Sequence, residues 1–179
     1  MKTIILYKSK YGSALKYAQW LADELGAELA ETGTLKVSQL ADYDRIILGG
    51  SVFASGIRGA QWLKKNYPQL RDKQVAVFAV GASPYEENAV EKVRQHALAP
   101  ELTELPFFYL RGRLDEKGMT WPDRKLCGVI KTQLEKKPPD ELVGWERALL
   151  EAYSPDSPAV LDWMSKDQLD PILEWAQGV

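Results

Sequence analysis

The strongest constraint on this chain is its rhythm: short β-rich runs alternate with helical patterns from the first residues onward. Lys2–Tyr7 reads as a buried strand, and a helix follows with Leu15, Ala18, Leu21, Ala22 and Leu25 on one face, stopped by Gly26. Ala27–Glu31 and Arg45–Gly49 are the second and third strands, and Gly59–Asn66 is a short helix ended by Pro68. Gln74–Gly81 is a continuous apolar run, the pattern of a strand covered on both faces. Ser83, Pro84 and Glu86 carry the spacing of a capped helix start, and Phe107–Arg111 is the fifth strand. Helical stretches at about 122–136, 140–153 and 165–177 complete the chain. Pro171 means that the last helix either begins at Asp170 or kinks. Strand and helix in repetition predict a doubly wound five-stranded parallel sheet, an α/β fold with helices on both faces. Residues 1–179 are expected to form a single domain with an inserted or extended segment at about 111–158; the linker-like stretches are Lys137–Asp140 and Ser154–Pro158.

In such a sheet, ligands bind beyond the carboxyl ends of the strands, so the loops after strands one, three and four carry the information. The first is Ser9-Lys10-Tyr11-Gly12-Ser13-Ala14. Gly12 permits close backbone approach, and the Ser9 and Ser13 hydroxyls, with free N–H groups at a helix start, suit a phosphate. The loop has neither the glycine-lysine pattern of a nucleotide triphosphatase nor the three spaced glycines of a dinucleotide site. The second, Gly49–Gly59, holds four glycines in eleven residues. The third is Gly81-Ala82-Ser83-Pro84-Tyr85-Glu86.

Tyr7–Ala18 resembles the phosphate loop of flavodoxins, and the second and third loops follow in that family's order. The resemblance covers residues 2–111 best. It implies a flavodoxin-like sheet of strand order 2-1-3-4-5 holding FMN. The implied contacts are Ser9, Lys10, Tyr11, Gly12, Ser13 and Ala14 with the phosphate; Gly50, Ser51, Val52 and Phe53 along the ring edge; and Gly81, Ala82, Ser83 and Tyr85 at the pyrimidine end. Phe53 reads alternatively as core packing, and Tyr85 as a surface tyrosine. Ala14 departs from the family pattern, which usually places there a threonine whose hydroxyl touches the phosphate. One such missing hydrogen bond costs on the order of 1 kcal/mol, which the charge of Lys10 can offset.

A narrower resemblance, to menaquinone-dependent protoporphyrinogen oxidases, rests on Gly112-Arg113-Leu114, Trp121, Asp123-Arg124, Ile130-Lys131 and Asp162-Trp163. Residues 138–158 are extra relative to that pattern. The leading expectation is therefore an FMN redox protein that passes electrons to a redox partner protein or a quinone-type small molecule. A protoporphyrinogen-oxidase-like or quinone-linked FMN oxidoreductase is the alternative, and a flavin-free interaction module is the second. Carrier flavodoxins tend to be strongly acidic, and the net charge of −2 here, with Lys10 and Arg58 beside the loops, leans away from a carrier.

That charge also argues against nucleic acid as a partner. Residues 111–137 carry eight Lys/Arg against four Asp/Glu, whereas 138–179 carry nine acidic against two basic residues. This split marks either an interaction surface or an internal match. The basic half, with Arg111, Arg113, Arg124 and Lys125, is expected on the cofactor side, able to meet an acidic partner, a substrate carboxylate or an anionic membrane. No signal-peptide or membrane-span pattern is visible, and one cysteine, Cys127, fits a reducing compartment; a cytoplasmic location is expected. Cys127 reads as helix packing with Ile130 and Leu134, and His96 as solvated. No metal spacing or triad is present in the sequence.

Overall fold

The computed structural model describes residues 1–53, 56–154, 157–158 and 160–178. Ala54 and Ser55 of the expected second loop, and Pro155 and Asp156 of the expected linker, lie outside the described residues. The chain runs β1 (Thr3–Lys8), α1 (Ser13–Leu25), β2 (Glu28–Glu31), β3 (Arg45–Phe53), β4 (Gly56–Ile57), α2 (Ala60–Asn66), β5 (Gln74–Gly81), α3 (Glu87–Ala97) and β6 (Phe107–Arg111). It continues with β7 (Arg113–Asp115), α4 (Trp121–Leu134), α5 (Gly144–Ala152), β8 (Val160–Asp162) and α6 (Asp170–Gln177).

The main sheet has the order β2-β1-β3-β5-β6, all parallel, which is the expected 2-1-3-4-5 order of its five long strands. Alternation along each strand feeds two cores. Ile4, Leu6, Ile46, Leu48, Val75 and Val77 face α2 residues Ala60 and Leu63, with α3 covering the edge. Ile5, Ile47, Phe78, Val80 and Leu110 face α1 and α6. The buried stripe of α1 is Ala14, Tyr17, Ala18, Leu21 and Ala22, so Tyr17 rather than Leu15 completes the face. Spacings of three and four place these side chains above one another on the sheet.

Most bounds shift by a residue or two, and three of the larger differences from the sequence reading each have a physical reason. β3 runs four residues past Gly49, because Gly50 and Ser51 pair with β5 and then Val52 and Phe53 pair antiparallel with β4. α3 begins at Glu87 and Ser83 does not cap it, because Ser83 is engaged elsewhere (below). α5 starts at Gly144 rather than 140, where the Glu146 carboxylate accepts the Val143 N–H at 3.2 Å. Of the two options at Pro171, the helix begins at Asp170, placing the proline in a first turn whose N–H groups have no helical partner.

α4 and α5 lie in the chain between β7 and β8, two three-residue strands that pair antiparallel. Trp163 then donates its N–H to the Gly112 carbonyl at 3.2 Å, returning the chain to the sheet edge. The two halves of the charge split meet here: Lys137 Nζ lies 2.6 Å from the Glu146 carboxylate. Among the described residues no helix is long and apolar enough to cross a membrane.

Tyr17 ties the ends of this arrangement together. Its ring is fully buried. Its hydroxyl donates to the Arg111 carbonyl at 2.7 Å and accepts from Gln168 Nε2 at 2.7 Å. Replacing it with phenylalanine leaves those buried partners short of a bond, so Tyr17→Phe should lower stability by about 1–3 kcal/mol. Urea unfolding would read this as a lower midpoint with an unchanged slope.

Candidate functional site

The parallel register places the ends of β1, β3 and β5 side by side: Lys8 lies opposite Gly50, and Gly50 opposite Ala79. The three loops therefore open on one edge. At Gly50 a side chain would collide with the Arg58 carbonyl and Ile57, so glycine is what lets the second loop fold back against β3.

The first loop is shaped by Gly12, whose φ of +91° starts α1 and favours glycine. The Gly12 N–H donates to Ser9 Oγ at 3.0 Å, and Lys16 makes the first helical bond back to the Gly12 carbonyl. The N–H groups of Ser13, Ala14 and Leu15 are thus the donors that a helix start leaves without helical partners. Ser13 Oγ accepts the Arg113 N–H at 3.3 Å, stitching this loop to β7. Ala14 is fully buried in the core under α1.

Between the loops lies a cavity of about 250 Å³. Its walls are Lys10, Tyr11 and Ser13 from the first loop, Ser51, Val52 and Phe53 from the second, and Val80, Gly81 and Ala82 from the third. Gly112, Arg113 and Leu114 form one end, and Met119, Asp123, Leu126, Cys127 and Ile130 from α4 and its approach form the roof. The expected site residues divide accordingly. Lys10, Tyr11, Ser13, Ser51, Val52, Phe53, Gly81 and Ala82 meet at the cavity. Ser9, Gly12 and Gly50 shape the backbone beneath it, and Ala14 is in the core. Ser83 gives its carbonyl to the Tyr109 hydroxyl at 2.8 Å, and Tyr85 is 66% exposed with its ring 6.3 Å from that of Tyr109. Phe53, half in the cavity wall and 38% exposed, is not core packing.

Ser51 Oγ is buried and has no hydrogen-bond partner among the described residues. Leaving a buried hydroxyl unpaired costs about 1–3 kcal/mol, so this atom on the cavity wall is available to bond a ligand or a water. The third loop is held from β6, with Arg111 Nε donating to the Ala82 carbonyl at 3.1 Å while its guanidinium stacks 3.8 Å from the Trp163 ring. Burial pushes the Tyr109 phenol up to about 12, so it remains a donor across the physiological range. A second, open groove of about 1010 Å³ adjoins the cavity at Val52, Gly81 and Ala82 and extends along α3 to Trp145.

The roof is the part that sequence reasoning did not single out as a site. Met119, Asp123, Leu126, Cys127 and Ile130 recur at helical spacing, the one signal that sets them on a common face. Cys127, expected to pack with Ile130 and Leu134, lines the cavity beside Ile130, while Leu134 is buried outside the cavity lining. Burial raises the phenol of neighbouring Tyr153, with the Cys127 thiol reinforcing the shift. Asp123 is the polar centre of the roof, only 8% exposed. Lys10 Nζ lies 2.5 Å from its Oδ2, and the Tyr11 hydroxyl donates to the same oxygen. Lys10 also sits 4.2 Å above the Phe53 ring centroid. Arg124, expected as a cofactor-side cation, is engaged as a clamp: its guanidinium donates to the carbonyls of Glu116, Lys117 and Met119, fixing the turn that leads into α4.

Lys10 first, and then Tyr11, hold the Asp123 carboxyl below its usual range. A folded pKa below the unfolded one adds stability that is present in full above the unfolded value and is lost as pH falls from there through the folded value. The gap in urea midpoint between the parent and Asp123→Asn should therefore be constant above about pH 5 and shrink as pH drops below about 4. A gap that widens on acidification would contradict the ion pair.

A family model described as "Flavodoxin domain" matches residues 4–141. Over 87 residues the chain is 29% identical to "Protoporphyrinogen IX dehydrogenase [quinone]" of Escherichia coli K12, covering 45% of this chain and 48% of that protein. The chain thus spans about half the length of the curated relatives it matches. Among solved structures, two-electron reduced flavodoxin from Megasphaera elsdenii is 18% identical, with 60% of this chain and 82% of that one covered and a TM-score of 0.45. A flavoprotein in complex with FMN from Lactobacillus acidophilus is 21% identical, with 62% and 91% covered and a TM-score of 0.38. A family match over residues 4–141, on a parallel sheet of this strand order, means that the chain belongs to the flavodoxin domain family.

Proposed function

We propose that this protein holds FMN between its three loops and passes electrons through it to a small quinone-type molecule. The observation that carries the reading is the unpartnered, buried Ser51 hydroxyl in a cavity walled by all three loops. The donor set suits the group: helix-start N–H groups and hydroxyls for a phosphate, and backbone and apolar side chains for a flat ring. Bound flavin would supply the one- and two-electron chemistry that no side chain here offers.

The chain's own residues bind, orient and exclude water. Ser9, Ser13 and the N–H groups at the start of α1 would receive the phosphate. Ser51 would hydrogen-bond the ring edge, with Val52, Phe53, Gly81 and Ala82 along its sides. Met119, Leu126 and Ile130 add apolar side chains to the cavity wall, where they would shield a bound ring from water. A cavity of about 250 Å³ lies below the roughly 300 Å³ at which ordinary ligand pockets begin, so seating FMN entails an outward shift of α4. The apolar roof favours a small apolar reaction partner over a docked protein, and the local kinship with a dehydrogenase named for quinone agrees with it.

Purified protein should be yellow, bleach on dithionite reduction, release FMN by mass spectrometry, and recover its colour anaerobically with a soluble menaquinone analogue. Ser51→Ala should weaken FMN binding about threefold to tenfold by fluorescence titration of the apoprotein. Release of FAD, or no flavin binding at all, would contradict the reading.

A further inference from the structure

Resting on the FMN reading, we propose that Asp123 is a built-in competitor anion: by neutralising Lys10 it sets how tightly the first loop holds a phosphate. The first loop, Ser9–Ala14, carries a single cation, Lys10. Its neighbour Lys8 is spent on Glu31, 2.6 Å away. Where the family pattern has a threonine hydroxyl for the phosphate, this chain has Ala14, turned into the core. Lys10 is the cation within this loop, and it is held by the Asp123 carboxylate. Tyr11, the next residue of the loop, gives its hydroxyl to the same oxygen and accepts the Thr120 N–H at 3.3 Å.

A phosphate arriving at this loop therefore meets Lys10 already paired with a carboxylate, with the positive charge of Arg58 close enough to act on that carboxylate. The pair is shielded: the Lys10 and Asp123 side chains are 24% and 11% exposed, so solvent screens their charges less than it would on an open surface. An entering dianion must either draw Lys10 away from Asp123 or accept the carboxylate as a neighbour. Both lower its affinity. The carboxylate is ionised at neutral pH as an ordinary aspartate is, and Lys10, then Tyr11 and the positive charge of Arg58, hold its pKa lower still.

Asp123→Asn removes the charge while keeping the size and the ability to accept from Lys10 and Tyr11. Apoprotein titrations with FMN and with riboflavin, which has no phosphate, separate charge competition from simple docking of α4. Asp123→Asn should tighten FMN binding about tenfold and leave riboflavin unchanged. Lys10→Met should abolish that gain in the Asp123→Asn background, and in the parent, where it leaves the Asp123 carboxylate unpaired, it should weaken FMN binding while leaving riboflavin unchanged. Unchanged or weaker FMN binding by Asp123→Asn overturns the proposal, as does an equal gain for FMN and riboflavin, which would make Asp123 a docking residue only. If circular dichroism shows Asp123→Asn unfolded, Asp123→Ser decides by the same two titrations: tighter FMN binding with riboflavin unchanged supports the proposal, and unchanged or weaker FMN binding overturns it. If neither flavin binds parent or variant, the FMN reading falls. Inorganic phosphate titrated against both proteins then decides separately: tighter phosphate binding by Asp123→Asn supports anion competition, and equal binding overturns it.

Discussion

Parallel strands cannot be joined by tight turns, so each connection in the main sheet must carry chain back across a face before the next strand begins. All carboxyl ends then fall on one edge. In this chain β3 is the axis of that constraint, paired with β1 on one side and β5 on the other, and buried from Arg45 to Gly50. Its register sets where the first and third loops emerge relative to the second. The cavity is the space left where those loops diverge.

The segment after β6 turns that open edge into a covered one. Ordering a residue costs roughly 1–2 kcal/mol in backbone entropy, so such a long excursion needs its own anchors. Three are visible. The β7–β8 ladder and the Trp163–Gly112 bond fasten its two ends beside the sheet. Arg124 closes the turn before α4 on three carbonyls. Lys10 and Tyr11 then hold Asp123, so the roof is secured to the first loop of the site it covers. The anchor and the candidate ligand site thus share residues, which couples how firmly the roof sits to how the loop receives an anion.

Much of the sheet was legible because its strands are long and apolar; Gln74–Gly81 and Phe107–Arg111 appear with the expected bounds. The Ser83–Pro84–Glu86 spacing misled because tertiary bonds outweighed local capping: Tyr109 and Arg111 of β6 take the carbonyls of Ser83 and Ala82, and the helix waits until Glu87. β7 and β8 escaped because three residues are too few to show a period, and their pairing joins segments far apart in sequence. Asp123 was visible only as part of a resemblance. Its spacing from Thr120 is that of a helix cap, yet Thr120 makes no side-chain cap and the carboxylate reaches across to a loop more than a hundred residues earlier. Nothing local in a sequence signals such a contact.

The central claim is that one ligand touches all three loops and the roof together. Backbone amide chemical shifts followed during an FMN titration test it directly. The account predicts concerted shifts at residues 10–14, 51–53 and 80–82 and along α4, saturating with one affinity. Shifts confined to the open groove between α3 and Trp145, or scattered over the surface without saturation, would contradict it.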